Sequence, residues 1–270
     1  MMLMNNHFSI NKRTLNRVCW LTYVIFALSL TACHPSSDER VNDALTLNFR
    51  FEVDGNPLIQ DTLCYVNAAG NRYEVNEIKY FISDVQLVRA NGDVVSLAEK
   101  DAVHYVDMDK PNTLSWTIHS ELPVGDYTSV LFTFGLSQAR NVSHYFTDPP
   151  ESLMSWPEPL GGGYHYLQIN GKWLSNGTLN PFNFHAGIGQ ERDSLGNVTA
   201  FVDNSFEVQL KDVPFDITQE PTSLTLTMNV NRWFTSPIDY DFEVFGGSIM
   251  QNQRAQEVIK QNGNDVFTLK

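Results

Sequence analysis

The chain reads as an all-β domain, an antiparallel β-sandwich with one short C-terminal helix and a long Pro/Gly-rich functional loop. Three observations predict this: apolar residues alternating with period two, turn residues between the alternating runs, and one late stretch of helical character. In LTLNFRFEV, Leu45, Leu47, Phe49, Phe51 and Val53 fall on one face, and Gly55-Asn56-Pro57 ends the run. Similar runs occupy 72–81, 84–89, 103–107, 127–134, 163–170, 206–210 and 223–230. Turn signals separate them at Ala69-Gly70-Asn71, Asn91-Gly92-Asp93, Val124-Gly125-Asp126 and Gly196-Asn197. Evenly spaced strands with such turns argue for a sandwich or barrel. QNQRAQEVIKQNG predicts the helix, with Gly263 as its C-terminal stop. The segment 141–163, NVSHYFTDPPESLMSWPEPLGGG, breaks the rhythm with four prolines and three consecutive glycines. Structureless connections of that length tend to be functional.

The first residues read as a processing signal. Lys12, Arg13 and Arg17 precede the apolar run Val18–Leu30, which is too short for the roughly 20 residues of a membrane span. Leu30-Thr31-Ala32-Cys33 has the shape of a lipobox, with small residues ahead of a thiol that accepts diacylglycerol. The expected organisation is a lipoprotein signal peptide at 1–32, a lipidated tether at 33–44 and a folded domain at 45–270. The tether is polar, contains Pro and lacks periodicity. His34 follows the cysteine where an Asp would suggest inner-membrane retention, so lipid on Cys33 is expected to hold the protein to the outer membrane, facing the periplasm. Beyond Cys19 and Cys33 there remains only Cys64, read here as a buried strand residue, so the mature chain has no intrachain disulfide to rely on.

Charge narrows the partners. The first 32 residues hold three of the 18 Lys and Arg residues and none of the 31 acidic ones, so residues 33–270 carry a formal charge of −16. Such a surface repels nucleic acid. No Gly-x-Ser-x-Gly or His-Glu-x-x-His occurs, and Gly161-Gly162-Gly163 lacks the Lys-Ser/Thr of a phosphate loop, so a non-catalytic protein is expected.

Histidine placement suggests a metal. His165, in GGGYHYLQING, alternates onto one face with Leu167 and Ile169. In PFNFHAG, Phe182 and Phe184 share one face while Asn183 and His185 share the other. About twenty residues separate the two histidines, enough for neighbouring strands to bring them face to face. Met154 and Trp156 lie just upstream. Cu(I) accepts imidazole nitrogen and thioether sulfur and needs few ligands, whereas Mg²⁺ or Ca²⁺ wants several oxygens.

The run MSWPEPLGGGYHYLQINGKW, followed by FNFHAG, IMQNQ and NGNDVF, resembles the methanobactin-associated copper-binding protein family (MbnP-like domain). NEIKYFISDVQLV and HYVDMD resemble earlier strands of the same family. The resemblance implies an exported β-sandwich that binds Cu(I) through histidines and a tryptophan oxidised to kynurenine. It also implies a di-haem partner of the cytochrome c peroxidase type that makes the modification. Carried onto this chain, it marks His165 and His185 as ligands, His104 as a further one and Trp156 as the oxidised residue; Met154 is a candidate ligand through its thioether alone. The chain has no Cys-x-x-Cys-His, so it carries no c-type haem itself. The rival expectation is a metal-free surface lipoprotein that recognises glycan or protein through exposed aromatics, Tyr145, Trp156, Tyr164, Trp173 and Trp233.

Overall fold

Strand β1, Leu45–Val53, takes the bounds its alternation predicts and buries Leu45, Leu47, Phe49 and Val53. The structure, a computed structural model, describes residues 39–270, so the signal peptide, Cys33 and the first part of the tether lie outside the described residues. The other principal strands are β2 Arg72–Arg89, β3 Val103–Asp107, β4 Ser115–Ile118, β5 Gly125–Phe134, β6 Leu167–Ser175, β7 Thr178–Ala186, β8 Phe206–Leu210 and β9 Thr222–Asn229. Helix α1, Gln253–Asn262, and strand β10, Phe267–Leu269, close the chain. Among the described residues, no helix is long and apolar enough to cross a membrane.

Two sheets face each other across the main core. The larger runs β7-β6-β2-β5-β8, with β3 also on β2; the smaller runs β10-β9-β1, with β4 also on β1. Every labelled pairing is antiparallel except one. β9 runs parallel to β1, Thr222 beside Leu45 through Asn229 beside Glu52. A parallel pair needs a crossover, and here almost the whole domain supplies it, so no local pattern could announce it. Between the sheets, Phe134 meets Tyr80, Trp233 and Phe267 at centroid distances of 5.7, 5.0 and 5.6 Å.

β2 is one strand of 18 residues where the sequence suggested two. Its inward residues are Tyr73 and Val75, then Ile78, Tyr80 and Ile82, then Val85 and Leu87. Parity slips twice, and each slip coincides with a register irregularity in the pairing, opposite Asn170/Gly171 and opposite Leu131/Thr133. An extra residue in one strand leaves it unpaired and reverses the alternation. At the second slip Asp84 takes φ 53°, and Arg140 holds its carboxylate at 2.6 Å.

The same strand explains the long loop. Phe81 donates its N–H to Tyr166 and accepts from Gly135 N–H, at 3.1 and 2.8 Å. A residue's N–H and C=O point to the same edge of a strand, so one edge of β2 serves β6 up to Tyr80 and β5 from Ile82. The loop therefore leaves and returns at a single point. Gly135 sits there at φ +83°, where a Cβ would come within 2.5 Å of the Tyr166 ring. On the outer face, Phe81, Tyr105, Leu136, Met154, Tyr164 and Tyr166 form a second core belonging to the loop.

One local expectation holds by its own geometry and two change. Gly263 is the C-cap of α1 as expected, at φ −57° and not in a left-handed turn, and the residue is small because Phe206 packs where a Cβ would stand. Cys64 is exposed and precedes the short strand Tyr65–Val66. The rival's aromatic platform is also absent among the described residues, since of its five rings only Tyr145 is exposed. Trp233 fills the main core, Trp173 stacks on Phe242 and Tyr164 fills the loop core. Large rings bury the most apolar area, so cores claim them first.

Candidate metal centre

The chain doubles back across the loop and so places Trp156 and His165 together. Trp156 N–H donates to Gly163 O at 2.8 Å, Ser155 bridges Tyr164, and His165 N–H donates to Met154 O at 2.7 Å. Trp156 is buried, its indole N–H donating to Leu160 O at 3.1 Å. Its ring lies against Gly187, where a Cβ would stand 2.7 Å from Cε3. The imidazole of His165 meets the indole edge-on, with centroids 4.7 Å apart.

His185 comes from β7, opposite Gln168 of β6, with Phe182 and Phe184 turned into the core as their alternation predicts. Its ring lies 5.1 Å from that of His165, nearly perpendicular at 87°. The two histidines thus meet, though not by the route their alternation suggested. Leu167 and Ile169 point into the main core, whereas His185 shares the outer face with Gln168. β6 begins only at Leu167, so the alternation does not extend to His165, and that residue is free to turn outward.

Hydrogen bonds assign the tautomers. His165 Nδ1–H donates to Met154 O at 2.9 Å, because a carbonyl can only accept, and this leaves Nε2 with its lone pair. His185 Nε2–H donates to Asn170 Oδ1 at 2.8 Å, leaving the lone pair on Nδ1. The Asn170 amide is oriented in turn by Nδ2 donating to Glu77 Oε2 at 2.7 Å, and Glu77 pairs with Lys79. Burial disfavours the charged form of both rings. It holds His165 below the ordinary histidine range, and it takes His185 down to about 4 with help from the neighbouring His165 and Lys79. Two neutral imidazoles remain, each with one nitrogen fixed by an oxygen and one unshared. Oriented rings of this kind are what metal-binding histidines require. Two imidazole nitrogens suit an ion satisfied by few ligands; among the described residues no group of three or more His, Cys, Asp or Glu is placed to hold a metal.

The remaining expected ligands go elsewhere. His104 lies on the core face of β3, opposite Ile82, stacked between Phe49 at 5.0 Å and Trp116 at 4.7 Å. Its Nε2 bonds to Thr113 O at 2.9 Å, and the large sheet separates it from His185. Met154 reaches His165 through its carbonyl oxygen, while its side chain is buried in the loop core. Sequence reasoning passes over Asn170 and Glu77, whose signal is a polar residue on the same face of neighbouring strands as His185. An open cleft of about 550 Å³ runs beside His185, lined by Asn183, Ser248, Met250, Gln251 and Asn252.

Fold and site together define an all-β sandwich on whose larger sheet His185 meets His165 of the long folded loop. The chain belongs to the MbnP family, whose profile matches residues 42–251. That membership associates it with methanobactin and copper. The solved structure of MbnP from Methylosinus trichosporium is similar at 16% identity, over 72% of this chain and 78% of that one, with a TM-score of 0.48. No curated protein matches the sequence.

Proposed function

We propose that this protein is a non-catalytic copper-handling lipoprotein that binds one Cu(I) through His165 and His185. It is held by lipid on Cys33 to the outer membrane, facing the periplasm. The observation that carries the reading is the pair of neutral imidazoles 5.1 Å apart, each with one ring nitrogen unshared. His165 Nε2 and His185 Nδ1 are the nitrogens that would hold the ion. Met154 O and Asn170 Oδ1 fix the rings, and the loop core with Trp156 keeps water from the His165 side.

Trp156 is the residue for oxidation to kynurenine by a di-haem partner of the cytochrome c peroxidase type, which supplies the oxidant. Its ring edge touches His165, so the ketone and aromatic amine of kynurenine would add donors at the same pocket. All the residues of the candidate site belong to the compact unit Arg40–Lys270.

An anaerobic Cu(I) titration of residues 34–270 against a competing chelator tests the reading. One tightly bound equivalent is expected, lost when His165 and His185 are both replaced by Ala while the β-sheet circular dichroism is kept. Stoichiometric binding retained in that double variant overturns the site. An intact mass from the native host with the gain of kynurenine formation at Trp156 supports the modification, and an unmodified mass there removes it.

A further inference from the structure

Gln190 is a buried polar side chain beside Trp156 to which the copper reading gives no task. It stands on the short strand Gly189–Arg192, paired with Val198–Val202, and is 5% exposed. Its Nε2 donates to Leu160 O at 3.0 Å and to Ile188 O at 2.7 Å, so both amide hydrogens are used. Two carbonyl acceptors on one side assign the orientation of the amide. The other side, Oε1, is buried and has no hydrogen-bond partner among the described residues. Buried acceptors are seldom left so, because they have given up water without replacing it.

Leu160 O ties this amide to the indole. It accepts from Trp156 Nε1–H at 3.1 Å as well as from Gln190, which fills both of its lone pairs. Gly161 allows the approach, at φ +118°, where a Cβ would come within 2.5 Å of Ile188 and 3.1 Å of Phe201. The carboxamide therefore lies two hydrogen bonds from the indole nitrogen, in a buried corner of the loop. In the intact ring that nitrogen has one hydrogen, and Leu160 O takes it. Kynurenine formation changes the count. Two molecules of peroxide, the oxidant of a peroxidase-type partner, each give one oxygen across the Cγ–Cδ1 bond, break it and leave as water. Hydrolysis of the Nε1–Cδ1 bond then releases formate. Cγ becomes the ketone, and Nε1 becomes an amine whose second hydrogen comes from the hydrolytic water. Leu160 O has no capacity left for that hydrogen, whereas Gln190 Oε1 does.

From this placement we infer that Gln190 is a positioning residue for the modified Trp156: its Oε1 accepts the second amine hydrogen of kynurenine, beside the Leu160 carbonyl that accepts the first. The inference rests on the kynurenine reading above and adds the residue that holds the product in place. The test is a double cycle on metal-free protein. Parent and Gln190→Met are each purified from the native host, where the modification is made, and from a host without the di-haem partner. Gln190→Met loses the bonds to Leu160 O and Ile188 O in both forms, so their loss cancels between them. In urea unfolding, the substitution should lower the folding constant roughly fivefold further in the modified form, the size of one net hydrogen bond. The long-wavelength absorption of kynurenine, which responds to hydrogen bonding at its amine, should also shift in the variant. Should Gln190→Met not fold, Gln190→Asn repeats the cycle, keeping an amide in the corner but withdrawing it by one methylene. An equal fall in both forms, or an unmoved absorption band, overturns the assignment and shows the amine closed on its own ketone instead. An unmodified parent mass from the native host overturns the kynurenine reading itself, and this assignment with it.

Discussion

His104 and His185 make an instructive pair. Both sit on the large sheet, both are pushed by burial to about 4, and both give Nε2 to an oxygen acceptor. His104 is stacked on both faces, by Phe49 and Trp116, between the sheets. His185 stands on the outer face, beside a second imidazole and a cleft. Low basicity thus marks burial and nothing more. A ligand also needs a second donor within reach and a way in, and those come from the loop and from the segment before α1.

The comparison can be broken first at the metal. His185→Ala should weaken Cu(I) binding at least ~100-fold, more than the ~10–100-fold typical of an outer-shell partner. His104→Ala should leave affinity within about twofold while costing about 3 kcal/mol of stability, the cavity term for a ring-sized deletion. A chelator titration and urea unfolding on both variants check the contrast. Equal losses of affinity would put His104 back among the ligands.

Acid offers the next test. An unfolded histidine titrates near 6.5, and His104 in the fold near 4. Below pH 6.5 the unfolded chain binds a proton that the folded chain does not, so stability present above pH 6.5 is lost as pH falls toward 4. The amount from His104 is on the order of 3 kcal/mol at pH 4. Unfolding of the metal-free protein followed from pH 7 to 4 should show a shallower loss in His104→Phe, which keeps the ring stack and removes the titration. An unchanged slope would refute the assignment of the acid sensitivity.

Two smaller effects sharpen the site. Gly187→Ala places a methyl against the Trp156 ring and should cost about 1–3 kcal/mol by overpacking, with a shifted tryptophan emission. Asn170→Leu removes the acceptor that orients His185 and should weaken Cu(I) ~10-fold without changing stoichiometry. If the chelator competition shows no change, Asn170 has no part in positioning the ring.

Where a strand is regular, its outline is legible in the sequence. β1, β3 and β8 carry the predicted bounds, and the Phe182/Phe184 against Asn183/His185 division is right because β7 runs straight through it. β2 looks like two strands because its irregularities reverse parity, and reversed parity looks like an ending. Extending the same alternation back past Leu167 puts His165 on the wrong face. Of the candidate site, the meeting of His165 with His185 and with Trp156 is the juxtaposition the sequence anticipated, while His104 enters through the resemblance and Met154 through its residue type, and both side chains lie elsewhere.

The sequence by itself determined the strand periodicity, the helix before the C-terminus, the exceptional loop and the family, since each is written in neighbouring residues or in a contiguous run. Tertiary structure decided the parallel pairing of β1 with β9, the return of the loop to Phe81, and which histidines and tryptophan face one another. The reason is physical. Periodicity follows from backbone geometry within a few residues. Which faces meet follows from long-range burial, where bulges and close glycine contacts, set by packing between distant segments, choose the side on which each side chain emerges.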